Sequence, residues 1–186
     1  MPWKSIKRIN TYICYLLDGF YPFPQNLTIA NNQNMSKTMN ISSMDPSDRL
    51  RTERHAVETF YRALSDKNPD LVDEVLTPMW DDIPLAPGQG AGPEGIKPII
   101  RGVMQAFPDV QITVHDMIQV PGRIGVRAEI SGTHQGELFG IAPTGKKVSF
   151  RLHEFHTLDG KHITTTWHME DWFGLFLQLG QFPKQA

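Results

Sequence analysis

Residues 147–169 read KVSFRLHEFHTLDGKHITTTWHM. Two alternating runs flank Asp159-Gly160, and Asp-Gly between such runs is a strong hairpin signal. The spacing predicts strands over residues 147–158 and 161–169, joined by Asp159-Gly160 as a two-residue turn. Leu158 then faces Lys161, Arg151 lies opposite His168, and His153 opposite Thr166. Opposed residues share a face, so Arg151, His153, Thr166 and His168 are expected to project together. The two histidines become diagonal neighbours, roughly 7–8 Å apart. The other face is expected to hold Phe150, Leu152, Ile163, Trp167 and Met169, with Glu154 and His156 as polar exceptions. A one-residue slip would put the histidines on opposite faces.

Upstream, Ile112, Val114, Ile118 and Val120 mark one more strand, bulged near Asp116, and Ile124, Val126, Ala128 and Ile130 another. Before Pro108 the period is helical. Asp45-Pro46-Ser47 is a helix start, followed by Val57, Phe60, Tyr61 and Leu64 on one face. Asn68-Pro69 opens a short second helix with Leu71, Val72, Val75 and Leu76. Trp80-Asp81-Asp82-Ile83 reads as a brief strand or turn, and residues 84–95 as a Gly/Pro-rich loop. Ile96 to Phe107 reads as a third helix, which places Pro98 in its first turn. Trp172 to Leu179 is a last helix. Helices followed by antiparallel strands give an α+β class, with helices packed on one face of a curved sheet.

The chain has 186 residues, enough for one domain with a real core. Eighteen Lys and Arg against twenty Asp and Glu give a formal charge of −2, so a nucleic-acid binder is not expected. Cys14 alone excludes an internal disulfide and a cysteine-based zinc site, and fits a reducing, cytoplasmic compartment. No apolar run approaches the ~20 residues of a transmembrane helix, so no membrane partner is expected. Residues 1–47 read differently from the rest. Lys4, Lys7 and Arg8 precede only six apolar residues, Tyr12 to Leu17, which imitates a secretory signal but is short for one. The Asn-rich stretch that follows has no hydrophobic period. The expectation is a flexible extension over 1–47 and one domain over 48–186.

Histidine titrates near neutrality, so His153 and His168 on one pocket-facing sheet are candidates for proton transfer. A solvated sheet face would show the same pattern. Glu170 alternates onto the His168 face as a reserve carboxylate. Asp171 directly precedes the last helix and reads as its N-cap. His134 divides between a strand-end structural role and a pocket role. His153-Glu154-Phe155-His156 is not a helical zinc motif, and positions three apart on a strand point to opposite faces. No metal is expected. Gly88-x-Gly90-x-Gly92 lacks the P-loop Lys-Ser/Thr and reads as a rim loop.

Gly132-Thr133-His134-Gln135-Gly136, then Gly140-Ile141-Ala142-Pro143-Thr144-Gly145, resembles the SnoaL-like polyketide cyclases. So do Phe107-Pro108-Asp109, Trp167-His168-Met169-Glu170-Asp171 and Gln178-Leu179-Gly180. The resemblance covers about residues 50–182. It implies the nuclear-transport-factor-2-like fold, a cone of helices and curved antiparallel sheet around a cavity. It also implies ring closure in a polyketide ester by aldol condensation, without metal or cofactor. Its assisting histidine falls at His153, its acid/base aspartate at His168, and a polar cavity residue near Asp81 or Asp82.

The resemblance therefore implies a cofactor-independent lyase or isomerase acting on a small hydrophobic carbonyl compound, by cyclisation or isomerisation. His168 is the expected acid/base and His153 its helper. Arg151, Asp82, Trp80, Thr166, Glu170 and His134 are the expected substrate contacts. A hydrolase or dehydratase with a positioned water, or a non-catalytic binding domain, are the alternatives. A homodimer through the apolar outer face of the sheet is expected.

Overall fold

The computed structural model describes residues 45–181. Helix α1 spans Pro46–Ser65. Asp45 caps it by accepting from the backbone N–H of Ser47 at 2.8 Å, as the sequence predicts. Asp45 to Ser47 therefore belong to the domain. The rest of the expected extension, residues 1–44, lies outside the described residues. A 3-10 turn, Pro69–Leu71, leads into the short helix α2, Val72–Val75.

Strand β1, Leu76–Ile83, is longer than the brief strand expected around Trp80. Its burial alternates at its end: Trp80 and Asp82 point inward, Asp81 and Ile83 outward. Helix α3 spans Gly92–Ala106 and starts earlier than the apolar period suggests. Pro93, at its first turn, begins it, so Pro98 sits inside the helix and not in its first turn. Pro98 lacks the N–H that would bond to the carbonyl of Glu94. A Cβ on Gly95 would lie 1.8 Å from the carbonyl oxygen of Gly90. The Gly-rich loop is thus folded tightly against the start of α3.

Strands β2, Gln111–Val120, β3, Arg123–Thr133, β4, Lys147–Asp159, and β5, His162–Glu170, complete the sheet. Helix α4, Trp172–Leu179, closes the domain. Asp171 caps α4 by accepting from Gly174 N–H at 2.8 Å, as expected. The strand order is β1-β5-β4-β3-β2. All neighbours are antiparallel except β1, which runs parallel to β5, so the sheet is mixed. The core lies between the helices and the inner face, with Val57, Tyr61, Ile100, Phe107, Ile130, Phe150 and Leu152 buried.

The β2 bulge falls where expected, between Val114 and Asp116. The β4–β5 hairpin differs from its prediction in two ways. Asp159 pairs with His162, so Gly160 and Lys161 form the turn, with Gly160 at φ +61°. That moves the register by two residues and preserves the faces. Thr164 then bulges between the pairs Leu158–Ile163 and Thr157–Thr165. One extra residue exchanges the faces beyond it. His153 consequently pairs with Met169, and His168 with Glu154.

Candidate active site

The face exchange decides which side chains meet. The inner face carries Leu152, Glu154 and His156 from β4, and Thr166, His168 and Glu170 from β5. Trp80 and Asp82 join them from β1, since Asp82 pairs with Thr166. His168, expected to be the acid/base, is at the centre of this group. Its Nδ1 donates to Glu170 Oε1 at 2.8 Å and its Nε2 to the Pro84 carbonyl at 2.8 Å. Asp82 Oδ1 lies 3.3 Å from Nε2. Gln89, from the Gly-rich loop, donates to Asp82 Oδ2 at 2.7 Å.

Both ring nitrogens of His168 face oxygen acceptors. Only the imidazolium can donate from both. The electrostatics agree. Burial alone would lower the His168 pKa, but the hydrogen bond and charge of Glu170, then the charges of Asp82 and Glu154, raise it to about 9. Asp82 goes up to about 6: burial raises it, and His168 and Gln89 only partly offset this. In these surroundings His168 favours its protonated form. Asp82 is the group whose ionised form can accept a proton near neutral pH.

Beneath this pair lies a buried layer. Tyr61 of α1 donates to Glu154 Oε2 at 2.5 Å. His156 Nε2 lies 3.1 Å from the same oxygen. His156 Nδ1 is 3.0 Å from Thr166 Oγ1, which accepts from Trp80 Nε1 at 3.0 Å. Phe60 packs against both Trp80 and His156, with ring centroids 6.0 and 5.9 Å apart.

Of the expected site residues, His168, Asp82, Trp80, Thr166 and Glu170 share this inner face. His153 and Arg151 do not. They lie on the outer face, lining a groove of about 330 Å³ with His115, Arg127 and Glu129. The Thr164 bulge is the reason, and the two histidines, expected as diagonal neighbours on one face, lie on opposite faces. His134 is buried elsewhere: its Nδ1 accepts from the Thr144 N–H at 3.2 Å, and its ring packs on Phe107. It pins the loop after β3, and burial lowers its pKa. Phe150 and Leu152, expected on the outer face, are buried inside, as is Ile163. Glu154, His156, Tyr61 and Gln89 were not among the expected site residues. Their signal was Glu154 and His156 interrupting an otherwise apolar face.

Glu154, His168 and Glu170 each offer a ligand atom within 4.8 Å of the others. A metal would need a lone pair on one His168 nitrogen, whereas both point at acceptors.

Helices packed on a five-strand mixed sheet, with Asp82 3.3 Å from His168 on its inner face, make up this α+β scaffold. The sequence profile of the SnoaL-like polyketide cyclase family matches residues 55–179, so the chain is a member of that family. It is similar in structure to TsrD from Streptomyces laurentii, with TM-score 0.66, 24% identity, and coverage of 71% of this chain and 97% of that one. A candidate polyketide cyclase from Bacillus cereus aligns with TM-score 0.65 and 25% identity, covering 75% of this chain and 89% of its own. AclR from Streptomyces galilaeus, a candidate hydroxylase, gives 0.64 and 21%, covering 74% and 90%. No curated protein matches the chain. No helix among the described residues is long and apolar enough to cross a membrane.

Proposed function

We propose that the chain moves a proton at the carbon beside a carbonyl in a hydrophobic, polyketide-type ester, as a cyclase or isomerase. The observation that carries this reading is the Asp82–His168 pair: a carboxylate 3.3 Å from an imidazole whose two nitrogens both donate. Asp82 takes the proton, and the C–H electrons move onto the carbonyl oxygen as an enolate. His168 stabilises that oxygen with its Nε2–H, which the Pro84 carbonyl accepts in the free protein. In cyclisation the enolate carbon then bonds to a second carbonyl carbon, whose oxygen recovers the proton from Asp82. In isomerisation the proton returns at another carbon. The scheme balances on these side chains and uses no cofactor.

The test is deuterium uptake from heavy water by an aryl methyl ketone bearing a methyl ester, followed by NMR. The protein should accelerate uptake, and Asp82→Asn should cut the rate by ~10²–10⁴. An Asp82→Asn protein with the unmodified rate would overturn the scheme. Binding of the ketone without any uptake would favour a binding domain, and ester cleavage a hydrolase.

A further inference from the structure

The proton-transfer scheme leaves the buried layer under Asp82 and His168 unused, yet its hydrogen bonds have a direction that can be worked out. The indole N–H of Trp80 can only donate. It donates to Thr166 Oγ1 at 3.0 Å. The Thr166 hydroxyl hydrogen is then free to reach His156 Nδ1, also at 3.0 Å. A histidine that accepts at Nδ1 carries its proton on Nε2, which lies 3.1 Å from Glu154 Oε2 and 3.0 Å from the Tyr61 oxygen. Tyr61 donates to the same carboxylate oxygen at 2.5 Å. Every proton in the layer therefore points toward Glu154.

The reverse direction is worse at two places. A proton on Nδ1 of neutral His156 would aim the Nε2 lone pair at the Glu154 carboxylate. It would also leave the Thr166 hydroxyl hydrogen with no acceptor among the described contacts. All five side chains are buried, where an unmatched polar group is costly. Nor can the layer conduct protons, because the Trp80 end has no site to accept one. Its role is to hold something in place.

What it holds is the carboxylate opposite His168 in the β4–β5 register. We propose that this one-way chain makes Glu154 a positioning residue, a carboxylate fixed beside His168 that favours the doubly protonated form of the histidine. The proposal rests on the Asp82–His168 reading given above. His168 is faced by Glu170 on its own strand, Glu154 from β4, and Asp82 from β1. The Pro84 carbonyl faces it from the following loop, Gln89 restrains Asp82, and Tyr61 reaches Glu154 from α1. The charge of Glu154 works in the same direction on both partners, raising the pKa of His168 and of Asp82. It thus favours the protonated form of His168 and opposes ionisation of Asp82. It touches no substrate in this scheme.

The test is ¹⁵N NMR titration of the full chain labelled at histidine, in the free protein. In its neutral form His156 should carry its proton on Nε2, and His168 should be doubly protonated until about pH 9. Glu154→Gln should lower the His168 midpoint by about one unit or more, as loss of a close opposite charge does. Glu154→Asp, which keeps the charge, should restore most of that shift. A change in stability alone would leave the midpoint in place. A proton on Nδ1 of neutral His156, or an unmoved His168 midpoint in Glu154→Gln, would overturn the proposal. The tautomer is read on the unmodified protein, so the test stands even where Glu154→Gln does not fold. It needs no substrate, so absent deuterium uptake would sink the proton-transfer scheme and leave these measurements intact.

Discussion

Two residues, Asp82 and His168, hold their protons more tightly in the folded chain than in the unfolded one, and this sets the expected pH behaviour. The rate of deuterium uptake should rise as Asp82 ionises through about pH 6 and fall as His168 loses its proton through about pH 9. Two coupled groups share these limits, so each limb belongs to the pair. His168→Gln should remove the alkaline limb and lower the rate by ~10²–10³, the range for losing one donor to a developing oxyanion. Stability follows the same linkage. The His168 contribution is fully present below its unfolded value of 6.5 and is lost as pH rises through about 9. The melting temperature should therefore fall across that window, and His168→Gln should flatten the fall. An unchanged slope in the variant would remove His168 as its cause.

At the level of elements, several of the residues that reveal the family build the scaffold. Asp109, from Phe107-Pro108-Asp109, accepts from the Thr133 backbone at 2.6 Å and its hydroxyl at 2.7 Å. His134 and Thr144 tie the two ends of the loop between β3 and β4. Those motifs were legible because turns and clamps need particular residue types at particular spacings. The Asp171 cap was legible for the same reason. Asp171→Ala should cost about 1 kcal/mol and lower the melting temperature by about 2–4 °C. Gly95→Ala should cost more, because its Cβ would lie 1.8 Å from the Gly90 carbonyl oxygen and drive the loop carrying Gln89 away from Asp82. Thermal unfolding measures both, and the second variant should also lose catalysed uptake. The Thr164 bulge was not legible. Ile163-Thr164-Thr165-Thr166 alternates equally well in either frame, and three threonines in a row carry no hydrophobic signal to choose between them.

For the whole molecule, the outer face of the sheet poses its own question. Trp167 and Met169 of the expected apolar set are there, while Phe155, Ile118 and Ile83 take the place of Phe150, Leu152 and Ile163. Ile118, Gly125, Phe155, Trp167 and Ile83 stand in register across all five strands. Gly125 leaves room for the Phe155 ring, which a Cβ there would approach to 3.1 Å. Phe155 is 68% exposed and Ile118 79%. A continuous apolar row of this kind favours a covering partner. The proposed dimer would use these residues, and not Phe150, Leu152 or Ile163, which are inside. Sedimentation at micromolar concentration should give a dimer, and Phe155→Glu a monomer that still catalyses uptake. A wild-type monomer would discard the dimer.

Local chemistry in the chain was enough to determine the helix starts at Asp45 and Asp171, the α+β order, the β2 bulge and the family. Each depends on residues close in sequence, whose caps, turns and periodicity act over one or two turns of chain. The tertiary structure alone decided the site. The bulge sent His153 outward and brought Glu154 and His156 in. The parallel pairing of β1 with β5 carried Asp82 to His168 across 86 residues of chain. The burial and charges that met there favour the protonated form of His168. A pKa is set by every group within a few ångströms, and which groups those are is known only once the sheet is assembled.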